Sequence, residues 1–245
     1  GIPLVFRYYQ YAGVDDVEES QGTRLKTMTY NMQLCGAYRN NRPEVQESYR
    51  NNIFSVIEET KPDLLCMQEF YQSSTSLYHT TNLLDRMLPG YYCYPDIREL
   101  SSNYIGNLFY SRYPIVQADC IGQSPDLDNH AVTYADVVVG KDTFRIYNLH
   151  LKSVQFQQQD YDFAQQLTDA NFVGREPLTT GSRRILKKLK VAYAARTQQV
   201  DSIVRHMDNS PYPLIVCGDL NDIPCSYTFQ QFKKRLSDSY MSSGL

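Results

Sequence analysis

An α+β architecture, two packed mixed sheets flanked by helices, is the fold class that this sequence predicts. Three observations lead there. Helical and extended segments alternate towards both ends of the chain, whereas the middle reads as consecutive extended segments with no helix between them. Such a middle is antiparallel, which argues against a purely parallel doubly wound sheet. Hydrophobic residues make up 42% of the 245 residues, enough to bury a sizeable core.

The elements follow in order. Leu25 to Tyr30, LKTMTY, alternates as a strand. Pro43 to Thr60 opens on a proline and carries Val45, Tyr49, Ile53, Val56 and Ile57 at helical spacing. Lys61-Pro62-Asp63 stops that helix, and Leu64 to Gln68 is a short buried strand. Ser74 to Leu88 reads as a helix ended by Pro89-Gly90. Between Tyr91 and His150 the chain is strand-rich. Leu108 to Ser111, Ile115 to Ile121, Ala131 to Val139 and Thr143 to Leu149 are β-branched or aromatic, with a hairpin turn at Gly140-Lys141-Asp142. Gln155 to Thr180 is polar and irregular, a surface excursion. Ser182 to Met207 is a long helix, Leu214 to Cys217 a buried strand and Tyr227 to Leu236 a final helix.

Composition narrows the function. The net charge is −3, where a dedicated nucleic-acid binder carries a basic surplus, so tight non-specific DNA binding is disfavoured. Six cysteines are scattered without a CxxC pair and read as buried, reduced thiols. No apolar run approaches the ~20 residues that span a bilayer. Residues 1–22 read as an N-terminal extension. Its start, GIPLVFRYYQY, is either an expression scar or the end of a removed anchor. The anchor reading implies membrane association through this segment and a membrane-bound or secreted domain. The other leaves a cytoplasmic one. Arg183, Arg184, Lys187, Lys188 and Lys190 form a basic run that either attracts an anionic surface or is a solvated helix face.

Four polar clusters stand where strands give out: Thr29-Tyr30-Asn31, Met67-Gln68-Glu69, Asn148-Leu149-His150 and Gly218-Asp219-Leu220-Asn221. Strand ends can hold side chains in fixed relative positions. Oxygen ligands there suit Mg²⁺, which takes one or two carboxylates plus water and substrate phosphate. Each cluster alone has a plainer explanation. Asn31 and Gly-Asp-Leu-Asn favour turns, Glu69 suits a helix cap, and His150 suits a satisfied core. Their order along the chain is the stronger signal.

The segments TYNMQ around Asn31, DLLCMQEF around Glu69, GNLFYSRYPI from Gly106, YNLHLKS around His150 and VCGDLNDIP around Asp219 resemble the endonuclease/exonuclease/phosphatase superfamily of deoxyribonuclease-I-like, metal-dependent phosphoesterases. The resemblance spans Leu25 to Leu236 and implies a four-layer α/β/β/α sandwich. It also implies roles. Glu69 binds Mg²⁺ (or Mn²⁺), with Asn31 a direct or water-mediated ligand. Asp219 orients and helps deprotonate the attacking water, and Asn221 steadies that water or a phosphate oxygen. His150 contacts a non-bridging phosphate oxygen, and Asn107 is a further substrate contact. The expected partner is a phosphate-ester substrate, with lipid head groups or small esters favoured over nucleic acid, and the expected state is a monomer.

One departure qualifies this. The family pattern continues with a strand bearing an Asp and then a Ser-Asp-His segment. After Asn221 this sequence offers Asp222 and Asp238 but no His. The other histidines stand outside the motifs: His206 reads as helical surface, His79 as helix or loop, and His130 as loop after Asp128-Asn129. Residues 23–245 are therefore expected to be the catalytic domain without its C-terminal strands, nearly inactive by itself. A non-catalytic binding module on the same scaffold is the alternative.

Overall fold

The computed structural model describes residues 24–36, 43–73, 79–100, 103–121, 132–168 and 180–239. The N-terminal extension, His130 and the segment 169–179 of the excursion lie outside the described residues. Among the described residues, eight strands fall into two four-stranded mixed sheets. Sheet one has the order β1 (Thr27–Asn31), β2 (Leu64–Ser73), β4 (Asn103–Ser111), β3 (Tyr92–Leu100). Sheet two runs β5 (Ile115–Cys120), β6 (Val132–Val139), β7 (Asp142–His150), β8 (Leu214–Asp219). Each sheet has one parallel pair, β1 with β2 and β7 with β8, and is antiparallel elsewhere.

Helices α1 (Pro43–Thr60) and α2 (Thr80–Met87) cover the outer face of sheet one. Helices α4 (Thr180–Asp208) and α5 (Tyr227–Lys233) cover the outer face of sheet two. Helix α3 (Gln158–Thr168) lies against α4. The strand period of two sorts side chains into three apolar layers. Leu65 and Met67 of β2, with Leu108 and Tyr110 of β4, meet Ile53, Phe54 and Ile57 of α1. Leu64, Cys66, Phe109, Val137 and Ile146 fill the space between the sheets. Tyr147 and Leu149 of β7 meet Val200, Ile203, Val204 and Met207 of α4 and Phe232 of α5. This is the four-layer sandwich expected from the sequence.

Several local expectations change. Strand β2 does not stop at Gln68 but runs to Ser73 through a bulge between Met67 and Phe70. Strand β3 was masked in the sequence by Pro95, and its edge position explains why a residue without an amide hydrogen is tolerated. The excursion after Gln155 contains a helix, α3. Strand β8 is half-buried throughout rather than buried, since it is paired only with β7 among the described residues. All six cysteines are free, but only Cys35 and Cys66 are buried, with Cys93 and Cys225 exposed. His206 is half-buried rather than a solvated helix-surface residue. Its Nδ1 lies 2.8 Å from the Tyr147 hydroxyl and its ring packs on Tyr134.

Candidate active site

In a parallel pair both strands finish at the same end of the sheet. Asn31 pairs with Gln68 in β1–β2 and His150 with Asp219 in β7–β8, and the bond between Asn31 and Asp219 places these two strand ends at one end of the sandwich. Counting back by two along each strand gives layers between the sheets. In β1, Met28 and Tyr30 pack outward, so Thr29 and Asn31 face the other sheet. In β7, Ile146 faces inward, and so do Asn148 and His150. In β8, Ile215, Cys217 and Asp219 share that face.

The top layer is formed by Asn31, Glu69, His150 and Asp219. Asn31 Nδ2 donates to Glu69 Oε1 at 3.0 Å and to Asp219 Oδ2 at 3.2 Å, so one amide group holds two carboxylates. Asn31 Oδ1 accepts from the Gln33 amide at 2.9 Å, which fixes that orientation. His150 Nε2 lies 3.4 Å from Glu69 Oε1. Although shielded from solvent, it completes no well-formed hydrogen bond among the described residues. The imidazole contact holds the Glu69 carboxyl below its ordinary value; burial opposes this and the Asn31 amide assists it. Glu69 has a φ of 49°, a strained backbone for a carboxylate residue. It belongs to the bulge, where Gln68 and Glu69 together stand opposite Asn107 alone. The bulge resets the alternation: Phe70 joins Met67 in the outer core, and Glu69 is delivered to the top layer.

Beneath lies a second polar layer. Gln68 Nε2 donates to Asn148 Oδ1 at 2.7 Å and to Thr29 Oγ1 at 3.1 Å. Asn148 Nδ2 reaches across to the Met67 and Leu108 carbonyls at 3.1 and 3.0 Å. Both amide side chains are 1% exposed. This buried pair bolts β7 of one sheet to β2 and β4 of the other directly under the carboxylates. Buried amides of this kind persist when fully satisfied, as these are.

The remaining expected residues fall around this centre. Asn221, at φ 49°, donates its backbone amide to Asp219 Oδ1 at 2.8 Å and its Nδ2 to the Leu151 carbonyl at 2.9 Å, so it anchors the turn that presents Asp219. Asn107 is buried opposite the bulge, on the same face as Phe109. Asp222 is turned away into an ion pair with the buried Arg196, with Nε 3.2 Å from Oδ2. His79 is at the start of α2. A groove of about 680 Å³ runs along the edges of β1 and β8, lined by Thr27, Thr29, Val216, Gly218 and Phe232. None of the four top-layer side chains lines it.

The model of the Endonuclease/Exonuclease/phosphatase family matches residues 28–243, nearly the whole chain. The chain belongs to this family. No curated protein sequence matches it. Solved structures similar to it share the fold of this family at low identity. An endonuclease/exonuclease/phosphatase from Beutenbergia cavernae is 18% identical with a TM-score of 0.52, covering 83% of this chain and 50% of its own. Sphingomyelinase C from Streptomyces griseocarneus is 19% identical with a TM-score of 0.51, covering 86% and 68%. ANGEL2, a 2′,3′-cyclic phosphatase, is also 19% identical with a TM-score of 0.51, covering 86% and 57%. The chain thus spans half the length of the first of these relatives.

Among the described residues, no group of three His, Cys, Asp or Glu side chains forms a ready-made metal cluster. The donor set nevertheless fits a hard cation. Two carboxylates converge on one point, and Mg²⁺ completes its shell with water and substrate oxygens rather than an all-protein cage. In the present arrangement Asn31 offers its NH₂, not its carbonyl oxygen. Direct ligation by Asn31 requires a half-turn of its amide and loss of the Gln33 bond. Sequence reasoning named Thr29, Gln68 and Asn148 only as members of clusters and missed their part in the second layer. The available signal was their position two residues, or one plus a bulge, before each top-layer residue.

Proposed function

We propose that this domain hydrolyses phosphate esters with the help of a divalent cation, Mg²⁺ or Mn²⁺, held at Glu69. One observation carries the reading: two carboxylates, Glu69 and Asp219, meet at one amide nitrogen beside the solvent-shielded Nε2 of His150. Catalytic centres of this kind need charge neutralisation, a held nucleophile and a base. The bound cation supplies Lewis-acid neutralisation of charge on the phosphoryl oxygens.

The chain's own residues do the rest. Glu69 is the principal cation ligand, its carboxylate kept ionised by His150 and Asn31. Asn31 stands beside it, as a ligand through water or, after its half-turn, through Oδ1. Asp219, fixed on one oxygen by the Asn221 amide and on the other by Asn31, holds the attacking water and takes its proton. The water oxygen bonds to phosphorus as the ester P–O bond breaks, and the departing oxygen takes a proton from solvent. His150 Nε2, without a good partner among the described residues, donates to a non-bridging phosphoryl oxygen as negative charge builds there. Asn221 steadies the water, and Asn107 supports the substrate side of the bulge. The net charge of −3 favours a small or lipid-head-group ester over duplex nucleic acid.

Calorimetry with Mg²⁺ tests this, with turnover of a chromogenic phosphodiester by this chain and by a longer form that supplies the expected Asp and Ser-Asp-His segments. The chain alone is expected to be nearly inactive, so the variants are read in the longer form. Glu69→Gln is expected to weaken Mg²⁺ binding by about tenfold or more. Asp219→Asn is expected to remove Mg²⁺-stimulated hydrolysis. Unchanged Mg²⁺ affinity in the first variant, or unchanged turnover in the second, overturns the assignment.

A further inference from the structure

The long helix α4 has two unlike halves. Its C-terminal half is anchored: Val200, Ile203, Val204 and Met207 pack into the core over sheet two. In its N-terminal half only Gly181, against Phe163 of α3, and Ala192 are buried. At 29 residues the helix is about 43 Å long, so this half carries roughly 20 Å of helix beyond the core.

The charge of that half is segregated. Between Thr180 and Val200 there are six basic residues and no acidic one, in a chain whose net charge is −3. Three of the six have partners. Arg184 and Lys188 both bind Asp160 at 2.6 Å, and Arg196 binds Asp222. The other three, Arg183, Lys187 and Lys190, are exposed and form no ion pair among the described residues. They are interleaved with apolar side chains that are also out in solvent: Leu186 at 55%, Val191 at 59% and Tyr193 at 43% exposure. Positions 183, 186, 187, 190 and 194 follow the three-and-four spacing of a single helical face, with 191 and 193 at its borders.

We infer that this face of α4 docks on an anionic lipid surface. The occupant is chosen by the combination. Cations alone would suit any polyanion, but exposed leucine and valine among them find no counterpart on a phosphate backbone. At a lipid boundary they bury into the head-group and acyl region while the cations meet anionic head groups. A nucleic-acid strand is the competing partner, and it would use the cations while leaving Leu186 and Val191 idle. The face lies beside the segment that leaves the candidate site. Lys188 Nζ binds the Gln155 carbonyl at 3.1 Å, and Arg196 Nη1 binds the carbonyl of Lys152, two residues after His150, at 2.7 Å. The inference does not depend on the proposed hydrolysis, because it concerns binding alone.

Sedimentation with vesicles tests it, using phosphatidylcholine alone, phosphatidylcholine with phosphatidylserine, and a fluorescent oligonucleotide in a parallel titration. The chain is expected to bind the serine-containing vesicles and not the neutral ones. Near an anionic surface each Lys or Arg contributes about 1 kcal/mol, or roughly fivefold, so Arg183→Glu, Lys187→Glu and Lys190→Glu together should lower binding by about 10²-fold or more. Leu186→Ser with Val191→Ser should also weaken vesicle binding, and more visibly at high salt, where the charge contribution is screened. Circular dichroism of each variant confirms that the helix is intact. Equal binding to neutral vesicles, no binding to anionic ones, or a serine variant that binds as wild type would overturn the inference. Oligonucleotide binding lost in the glutamate variant but untouched in the serine variant would assign the face to nucleic acid instead.

Discussion

Replacing Asn148 by alanine tests whether the two sheets are bolted together beneath the carboxylates. The side chain is 1% exposed and takes part in three hydrogen bonds: from Gln68 at 2.7 Å, and to the carbonyls of Met67 and Leu108 at 3.1 and 3.0 Å. A net hydrogen bond is worth about 1 kcal/mol, which gives about 3 kcal/mol for the three. The partners left behind are buried, and an unsatisfied buried group costs about 1–3 kcal/mol more. Gln68 retains Thr29 and the Cys66 carbonyl, which limits the added cost. The expected loss is therefore about 3–5 kcal/mol, equivalent to roughly 10 °C in Tm for a domain of this size. Urea unfolding followed by circular dichroism measures it. A cycle with Gln68→Ala should show a coupling of about 1 kcal/mol or more, since the two side chains touch directly. A loss below about 1 kcal/mol, or additive effects of the two substitutions, would mean that water replaces the pair and that the bolt does not exist.

Other substitutions separate folding from chemistry. Gly218 has a φ of 134°, and a Cβ there would stand 2.0 Å from the Leu149 carbonyl oxygen, so Gly218→Ala should cost about 3 kcal/mol or more in thermal unfolding; a variant as stable as wild type refutes the steric reading. His150→Gln should lower kcat about 10²-fold with KM little changed, because the contact is made to charge that develops during reaction, and an effect confined to KM would assign His150 to ground-state binding. The Asp160 carboxyl is held well below its ordinary value of 3.8 by Lys188, the Gln157 amide and Arg184. A depressed carboxyl stabilises the fold above that ordinary value and loses its effect as pH falls through the lower folded value. Asp160→Asn should thus destabilise the protein at neutral pH, the difference shrinking as pH falls below 3.8 and vanishing only in strong acid near the lowered folded value, which thermal melts across pH will read.

Much of this was legible from local pattern. The proline at Pro43 and the spacing of Ile53 and Ile57 placed α1 at its observed bounds, and the Gly140-Lys141 turn joins β6 to β7 with Val139 opposite Asp142. The clusters at Asn31, His150 and Asp219 were legible because each closes a strand, whereas Glu69 lies within β2, where the apolar run is only interrupted. The bulge at Gln68 and Glu69 was not, because a positive φ at glutamate leaves no mark in composition. Helix α3 was hidden in a glutamine-rich segment whose helical face is polar; what holds it is Asp160 bound to Arg184 and Lys188, more than 20 residues away. His206 was misread because its partner, the Tyr147 hydroxyl, comes from a strand 59 residues earlier. Contacts at such separations are made by topology, and residue order alone does not display them.

Among the described residues, sheet one is built from the chain up to Ser111, and sheet two begins at Ile115. Each half of the chain can thus arrange its own strands without the other, but neither half owns the centre. The bond from Asn31 to Asp219 spans 188 positions, and the one from Gln68 to Asn148 spans 80. If one sheet slid against the other by a single residue pair, every strand pairing within each sheet would survive, yet Glu69 and Asp219 would no longer share an amide. The polar centre is in effect a vernier between two separately built halves, and the proposed hydrolysis would report their alignment more finely than any measure of secondary structure.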